Sequence, residues 1–136
     1  MGGGTAGNKR SGELGELKVA TKITESGGQV SFPHGDSAEY DLVAEFGGKV
    51  SRIQVKTASA LDGLAHSIVV ARSKQQPYTQ IDVVICSVPY GFYVIPFPAL
   101  KGVTRIRLWE PGTNRCYKSK PTCRWEEYRE AWHQLK

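Results

Sequence analysis

Apolar positions change their period several times along the chain, and each change marks an element. From Ser11 to Glu25 the residues Leu14, Leu17, Val19, Ala20 and Ile23 recur at three- and four-residue steps between charges, which predicts an amphipathic helix with Ser11 as its N-cap. Gly27-Gly28 stops this pattern, and Val30 and Phe32 then share a face, so a short strand is expected over 28–32 before Pro33. The loop formers His34-Gly35-Asp36-Ser37-Ala38-Glu39 lead into a strand over 40–46. Gly47-Gly48 closes a tight hairpin with a strand over 50–57. In that strand Val50, Arg52, Gln54 and Lys56 share one face, and Ser51, Ile53, Val55 and Thr57 the other.

Downstream, 66–71 reads as a strand and 74–79 as a connection, and the apolar run 81–88 lacks alternation, as in a strand buried on both faces. Strands over 92–95 and 103–109 follow, the second ending at Glu110-Pro111-Gly112-Thr113. Beyond Thr122, a plausible cap, Trp125, Tyr128 and Trp132 fall at helical steps, which predicts a C-terminal helix. The order describes an α/β or α+β domain over 11–136, and the Gly-rich residues 1–10 read as a flexible lead.

The length of 136 residues suits one domain. No apolar run approaches the roughly 20 residues that span a membrane, and the first residues lack the apolar centre of a signal peptide, so a soluble, cytoplasmic protein is expected. Cys86, Cys116 and Cys123 show no paired spacing, and His34, His66 and His133 lie far apart, which indicates neither a disulfide scaffold nor a zinc finger. Residues 1–100 hold nine Lys/Arg and nine Asp/Glu, whereas residues 101–136 hold nine against four, so the whole net charge of +5 lies in the last part of the chain. A basic, Trp/Tyr-containing end suggests a polyanion partner, most simply nucleic acid, although solvated basic faces are common.

Candidate chemistry lies in the hairpin. Positions equidistant from Gly47-Gly48 pair, so Asp41 faces Gln54, with Lys56 two residues further along the same face. Glu16 can add a second carboxylate if the first helix packs across the sheet. A hard cation such as Mg²⁺ prefers oxygen ligands, and Asp41, Glu16 and the Gln54 carbonyl can hold one beside a phosphate while Lys56 orients water or stabilises developing charge. Spacing alone also describes an ordinary solvated hairpin. Of the neighbouring residues, Asp36 is a metal or water ligand or an Asx turn, and Glu13 a companion of Glu16 or a solvated carboxylate. Tyr40 fits core packing, His34 a structural or exposed loop position, and Thr57 points away from Lys56.

The stretch Gly15-Glu16, Pro33-His34-Gly35-Asp36, Tyr40-Asp41-Leu42-Val43, Gly48-Lys49 and Arg52-Ile53-Gln54-Val55-Lys56-Thr57-Ala58 resembles the PD-(D/E)XK nuclease superfamily. Within it the resemblance is to the small endonucleases associated with group I introns, and more distantly to archaeal Holliday-junction resolvases. It covers residues 12–58 well and the later strands loosely. It implies a restriction-endonuclease-like core, a mixed β-sheet flanked by helices, and Mg²⁺-dependent cleavage of duplex DNA, with Mn²⁺ as a possible substitute. It also implies Asp41 as metal-binding residue, Lys56 as catalytic lysine and Glu16 as the helix carboxylate. Gln54 stands where the superfamily usually has Asp or Glu, but is itself part of the resemblance to the intron endonucleases. Two alternatives follow: a junction resolvase, and a non-catalytic DNA-binding module with a decayed site. Arg105, Arg107, Lys118 and Lys120, with Arg115 and Arg124 beside them, are the candidate phosphate contacts. Cutting both strands with one site per chain implies a homo-oligomer, a dimer or tetramer.

Overall fold

A computed structural model describes residues 3–35, 37–58, 65–70, 80–110 and 124–136, residues 3–9 by their backbone. The first element, α1, spans Gly3–Glu25. It begins well before Ser11, so residues expected as a flexible lead are helical from Gly3 onward. No proline lies among them, and each residue added to an existing helix contributes one further hydrogen bond. Its end is a Schellman closure: the Gly28 N–H donates to Ile23 O at 3.0 Å and the Gly27 N–H to Thr24 O at 3.1 Å, with Gly27 at φ 95°.

Strands follow as β1 (Gln29–Ser31), β2 (Leu42–Phe46), β3 (Lys49–Thr57), β4 (Ala65–Val69), β5 (Val83–Val88), β6 (Gly91–Pro96) and β7 (Arg105–Trp109). Five of them form a mixed sheet in the order β1-β2-β3-β5-β6, in which β3 and β5 are parallel and the other neighbours antiparallel. β4 and β7 form a separate antiparallel ribbon. Every residue of β5 is buried, as its unbroken apolar run predicts, because it is covered on both faces.

Each face of the sheet has its own core. On one, Val19 and Ile23 of α1 pack with Leu42, Ile53, Ile85 and Val94. On the other, Ile68, Ile106 and Leu108 of the ribbon pack with Val84, Cys86, Tyr93 and Ile95. Among the described residues the sheet therefore lies between α1 and the β4–β7 ribbon. The buried stripe of α1 also differs from expectation: Leu14 and Leu17 are 52% and 60% exposed, while Gly15, Val19 and Ile23 face inward. Gly15 decides this rotation, because a Cβ there would overlap Thr57 Oγ1, so only a glycine lets the helix approach β3 this closely.

The expected C-terminal helix is replaced by two 3₁₀ turns, Glu126–Tyr128 and Trp132–Leu135. Between them Arg129 bridges Tyr93, Glu130 adopts φ 54°, and the Glu130 N–H donates to Phe92 O at 2.7 Å. Among the described strands β6 is an edge of the sheet, and the tail pairs with it at Phe92 and Tyr93. In doing so the chain crosses from one core to the other, with Trp125 packed on the ribbon side and Ala131 and Leu135 on the helix side. A continuous helix on one face cannot bury all three. Thr122, the expected cap, lies outside the described residues.

Candidate active site

The β2–β3 turn places Gly47 and Gly48 at φ 54° and 89°, the two positive values that a two-residue type I′ hairpin requires. Its register pairs Phe46 with Lys49 and Leu42 with Ile53, so one further step sets Asp41 opposite Gln54, as the equal-distance rule predicts. At this point the strands part: β2 begins at Leu42, while β3 runs on to Thr57 and pairs Gln54 with Val84 and Lys56 with Cys86 on its other side. The Val55 N–H thereby lacks a strand partner from β2, and Asp41 Oδ2 accepts it at 2.8 Å. The Asp41 N–H itself donates to Ile53 O at 2.8 Å. The carboxylate is thus held by the end of the ladder.

Burial pushes the Asp41 carboxyl above its ordinary range, opposed by the Val55 N–H and the Lys56 ammonium. Glu16 approaches from α1, brought to the sheet by the Gly15 contact with Thr57. Its carboxyl is also raised, first by burial, then by the negative charge of Asp41 and of Glu13. The two site carboxylates therefore feel each other. Lys56 pairs in register with Cys86 of β5 and interacts electrostatically with both Asp41 and Cys86, whose thiol burial pushes up to about 12. A neutral thiol thus lies beside the ammonium and does not compete with Asp41 for it.

Gln54 completes the group. Its Nε2 donates to Glu39 O at 3.2 Å, whereas its Oε1 is buried without a hydrogen-bond partner. A buried amide oxygen without a donor costs about 1–3 kcal/mol. A cation held by the two carboxylates and this oxygen would neutralise the raised acids and satisfy the orphan acceptor together, so the donor set fits a hard divalent ion. Among the described residues no three His, Cys, Asp or Glu side chains gather as a metal site, so such an ion depends on the Gln54 amide.

Other expected residues divide in three. Tyr40 packs against the ribbon-side core, His34 is exposed, and Thr57 faces α1. Arg105 and Arg107 are exposed on β7, with Ile106 and Leu108 buried between and beyond them, and Arg105 Nη1 donates to Ser67 Oγ at 2.7 Å. Asp36, Arg115, Lys118 and Lys120 lie outside the described residues, and Arg124 stacks over Trp125 with its guanidinium carbon 4.4 Å from the ring centre. Two participants were absent from sequence reasoning: Glu39, whose carbonyl meets Gln54, and Gly15 as the close contact that seats Glu16. A backbone carbonyl leaves no trace in residue type, and a helical glycine reads as a weak helix position.

A family model described as PD-(D/E)XK endonuclease matches residues 6–127. The chain belongs to the PD-(D/E)XK endonuclease family. A solved bacterial homing endonuclease, I-Ssp6803I, is similar at a TM-score of 0.77 and 26% identity, over 93% of this chain and 89% of that one. No curated protein matches. The family has an α/β, restriction-endonuclease-like core, and here the mixed sheet with α1 packed on it is that core. Family and neighbour together support nuclease activity. No helix among the described residues is long and apolar enough to cross a membrane.

Proposed function

We propose that the protein is a divalent-metal-dependent endonuclease of the homing type, hydrolysing phosphodiester bonds of duplex DNA with Mg²⁺, or Mn²⁺ in its place. What supports this reading is that Asp41, opposite Gln54 in the hairpin register, interacts electrostatically with both Glu16 and Lys56, that both carboxyls have raised proton affinity, and that Gln54 Oε1 is buried without a hydrogen-bond partner. Asp41, Glu16 and Gln54 Oε1 hold the ion. When bound it supplies Lewis acidity toward a phosphate oxygen.

The chain's own groups do the rest. The Val55 N–H keeps the Asp41 carboxylate aimed into the site, and the Gln54 amide contributes an oxygen without a third negative charge. Lys56 orients the attacking water and stabilises the charge that develops on phosphorus. Exposed Arg105 and Arg107, with Lys118 and Lys120, position the backbone. Since one chain carries one site and duplex cleavage needs two, the working form is a symmetric homo-oligomer, a dimer or tetramer.

Plasmid cleavage in Mg²⁺ or Mn²⁺ tests this reading. Asp41→Ala and Lys56→Ala should each reduce the rate on the order of a hundredfold or more. Retained metal-dependent cleavage in either variant overturns the assignment. A preference for four-way junctions over linear duplex would point to a resolvase instead.

A further inference from the structure

Gln54 can serve an ion only if its oxygen, and not its nitrogen, faces the site. Two atoms of nearly equal size compete for that place, and the choice is made by what the other atom meets. Here it meets the backbone carbonyl of Glu39 at 3.2 Å. A carbonyl oxygen accepts and never donates, so the amide nitrogen must turn to it and Oε1 must turn away. The same contact accounts for the residue type. A carboxylate at position 54 would set a second oxygen against Glu39 O, two acceptors with no proton between them.

The carbonyl is held in turn. Two residues along, the Asp41 N–H is tied to Ile53 O at 2.8 Å. On the other side the Glu39 side chain reaches the far side of β3, where its Oε1 accepts the Gln80 N–H at 2.9 Å, on the chain leading into β5. Since β3 lies between β2 and β5 in the sheet, Glu39 ties the loop before β2 across β3, the strand that carries Gln54.

We infer that Glu39 is a positioning residue: by clasping Gln80 it fixes its own carbonyl, and that carbonyl selects an amide at position 54 and presents the amide oxygen to the metal. The inference rests on the metal-dependent reading above and adds a residue to it. Glu39 touches neither ion nor substrate; it acts through Gln54.

The experiment uses the full chain, with folding checked by circular dichroism, and three readouts: calorimetric titration with Mn²⁺, the side-chain amide NMR signal of Gln54 in the metal-free protein, and cleavage as a function of Mn²⁺ concentration. Glu39→Ala should weaken Mn²⁺ binding about tenfold, in the range seen for outer residues that orient metal ligands. It should broaden or shift the Gln54 amide signal and raise the Mn²⁺ needed for half-maximal cleavage, while the rate at saturating Mn²⁺ stays near that of the unaltered chain. Glu39→Gln keeps an acceptor for the Gln80 N–H and should restore all three. Unchanged affinity and an unchanged amide signal in Glu39→Ala overturn the proposal, as does a Glu39→Gln variant no better than Glu39→Ala, which would mean that only the charge matters. If the unaltered chain neither binds Mn²⁺ nor cuts DNA, the nuclease reading fails by itself, and the amide signal still decides whether Glu39 orients Gln54.

Discussion

The β2–β3 hairpin and the C-terminal tail carry similarly plain sequence signals, yet one folds as its signal reads and the other does not. In the hairpin two glycines at positive φ set the turn, the turn sets the register, and the register sets Asp41 opposite Gln54. All of this is settled within about one hairpin length of chain. In the tail, aromatic residues at helical steps describe a helix, but the conformation is dictated by partners distant in sequence. Phe92 supplies both a carbonyl and an N–H to Glu130, and Lys49 Nζ donates to Gln134 O at 2.9 Å and to Lys136 O at 3.2 Å. Local signals are decisive where the interactions they imply are local. They yield where partners distant in sequence, here Phe92 and Tyr93 on the edge strand β6, take up the backbone.

Gly15→Ala gives the largest expected effect, because the new Cβ overlaps Thr57 Oγ1 and the helix must lift from β3. Overpacking of this kind costs about 1–3 kcal/mol, partly offset by the better helix propensity of alanine. Denaturant unfolding should show the loss, Mn²⁺ affinity should fall as Glu16 moves away, and adding Thr57→Ala should recover much of both. An additive pair would show that the contact does not seat the helix.

A comparable change in the tail should separate stability from the site. Glu130 Oε2 accepts the Phe92 N–H at 2.9 Å and its Oε1 accepts Trp132 Nε1 at 2.8 Å, so Glu130→Ala removes two acceptors. The expected cost is about 1–2 kcal/mol in thermal or denaturant unfolding, with Mn²⁺ affinity unchanged. If metal affinity fell as well, the tail and the hairpin would be coupled rather than independent.

Gln54→Glu refines the hairpin side. In chelator, where no ion compensates, the lost hydrogen bond to Glu39 O should lower stability by about 1 kcal/mol, read as a lower Tm. A more stable variant would mean that the carbonyl does not disfavour a carboxylate.

The smallest effect is expected where β3 meets the lead into β5. Asp82 Oδ2 accepts the Arg52 backbone N–H at 2.8 Å and Nε at 3.1 Å, and Arg52 holds the Asp82 carboxyl below its ordinary value of 3.8. Both side chains are partly solvated, so screening limits Asp82→Asn to about 0.5 kcal/mol at neutral pH. A depressed carboxyl stabilises the fold above the ordinary value and loses that contribution as pH falls below it. The difference between parent and variant should therefore be full above about pH 5 and vanish in the acid range below 3.8. A difference independent of pH would place the effect in packing.

By itself the sequence determined the hairpin, its register, the central buried strand and the helix–sheet class. Turn chemistry and period-two alternation, which act between near neighbours, also pointed to Asp41, Gln54 and Lys56 as one group, and the family resemblance added Glu16. Tertiary structure decided which stripe of α1 is buried, since that depends on how closely Gly15 can approach Thr57, and it turned the aromatic tail into two short turns, since that depends on the open edge of β6. It also decided which atom of Gln54 has a hydrogen-bond partner, Nε2 being bonded and Oε1 buried without one. That choice belongs to a backbone carbonyl of Glu39, and a carbonyl is the same in every residue, so only folding can give it a role.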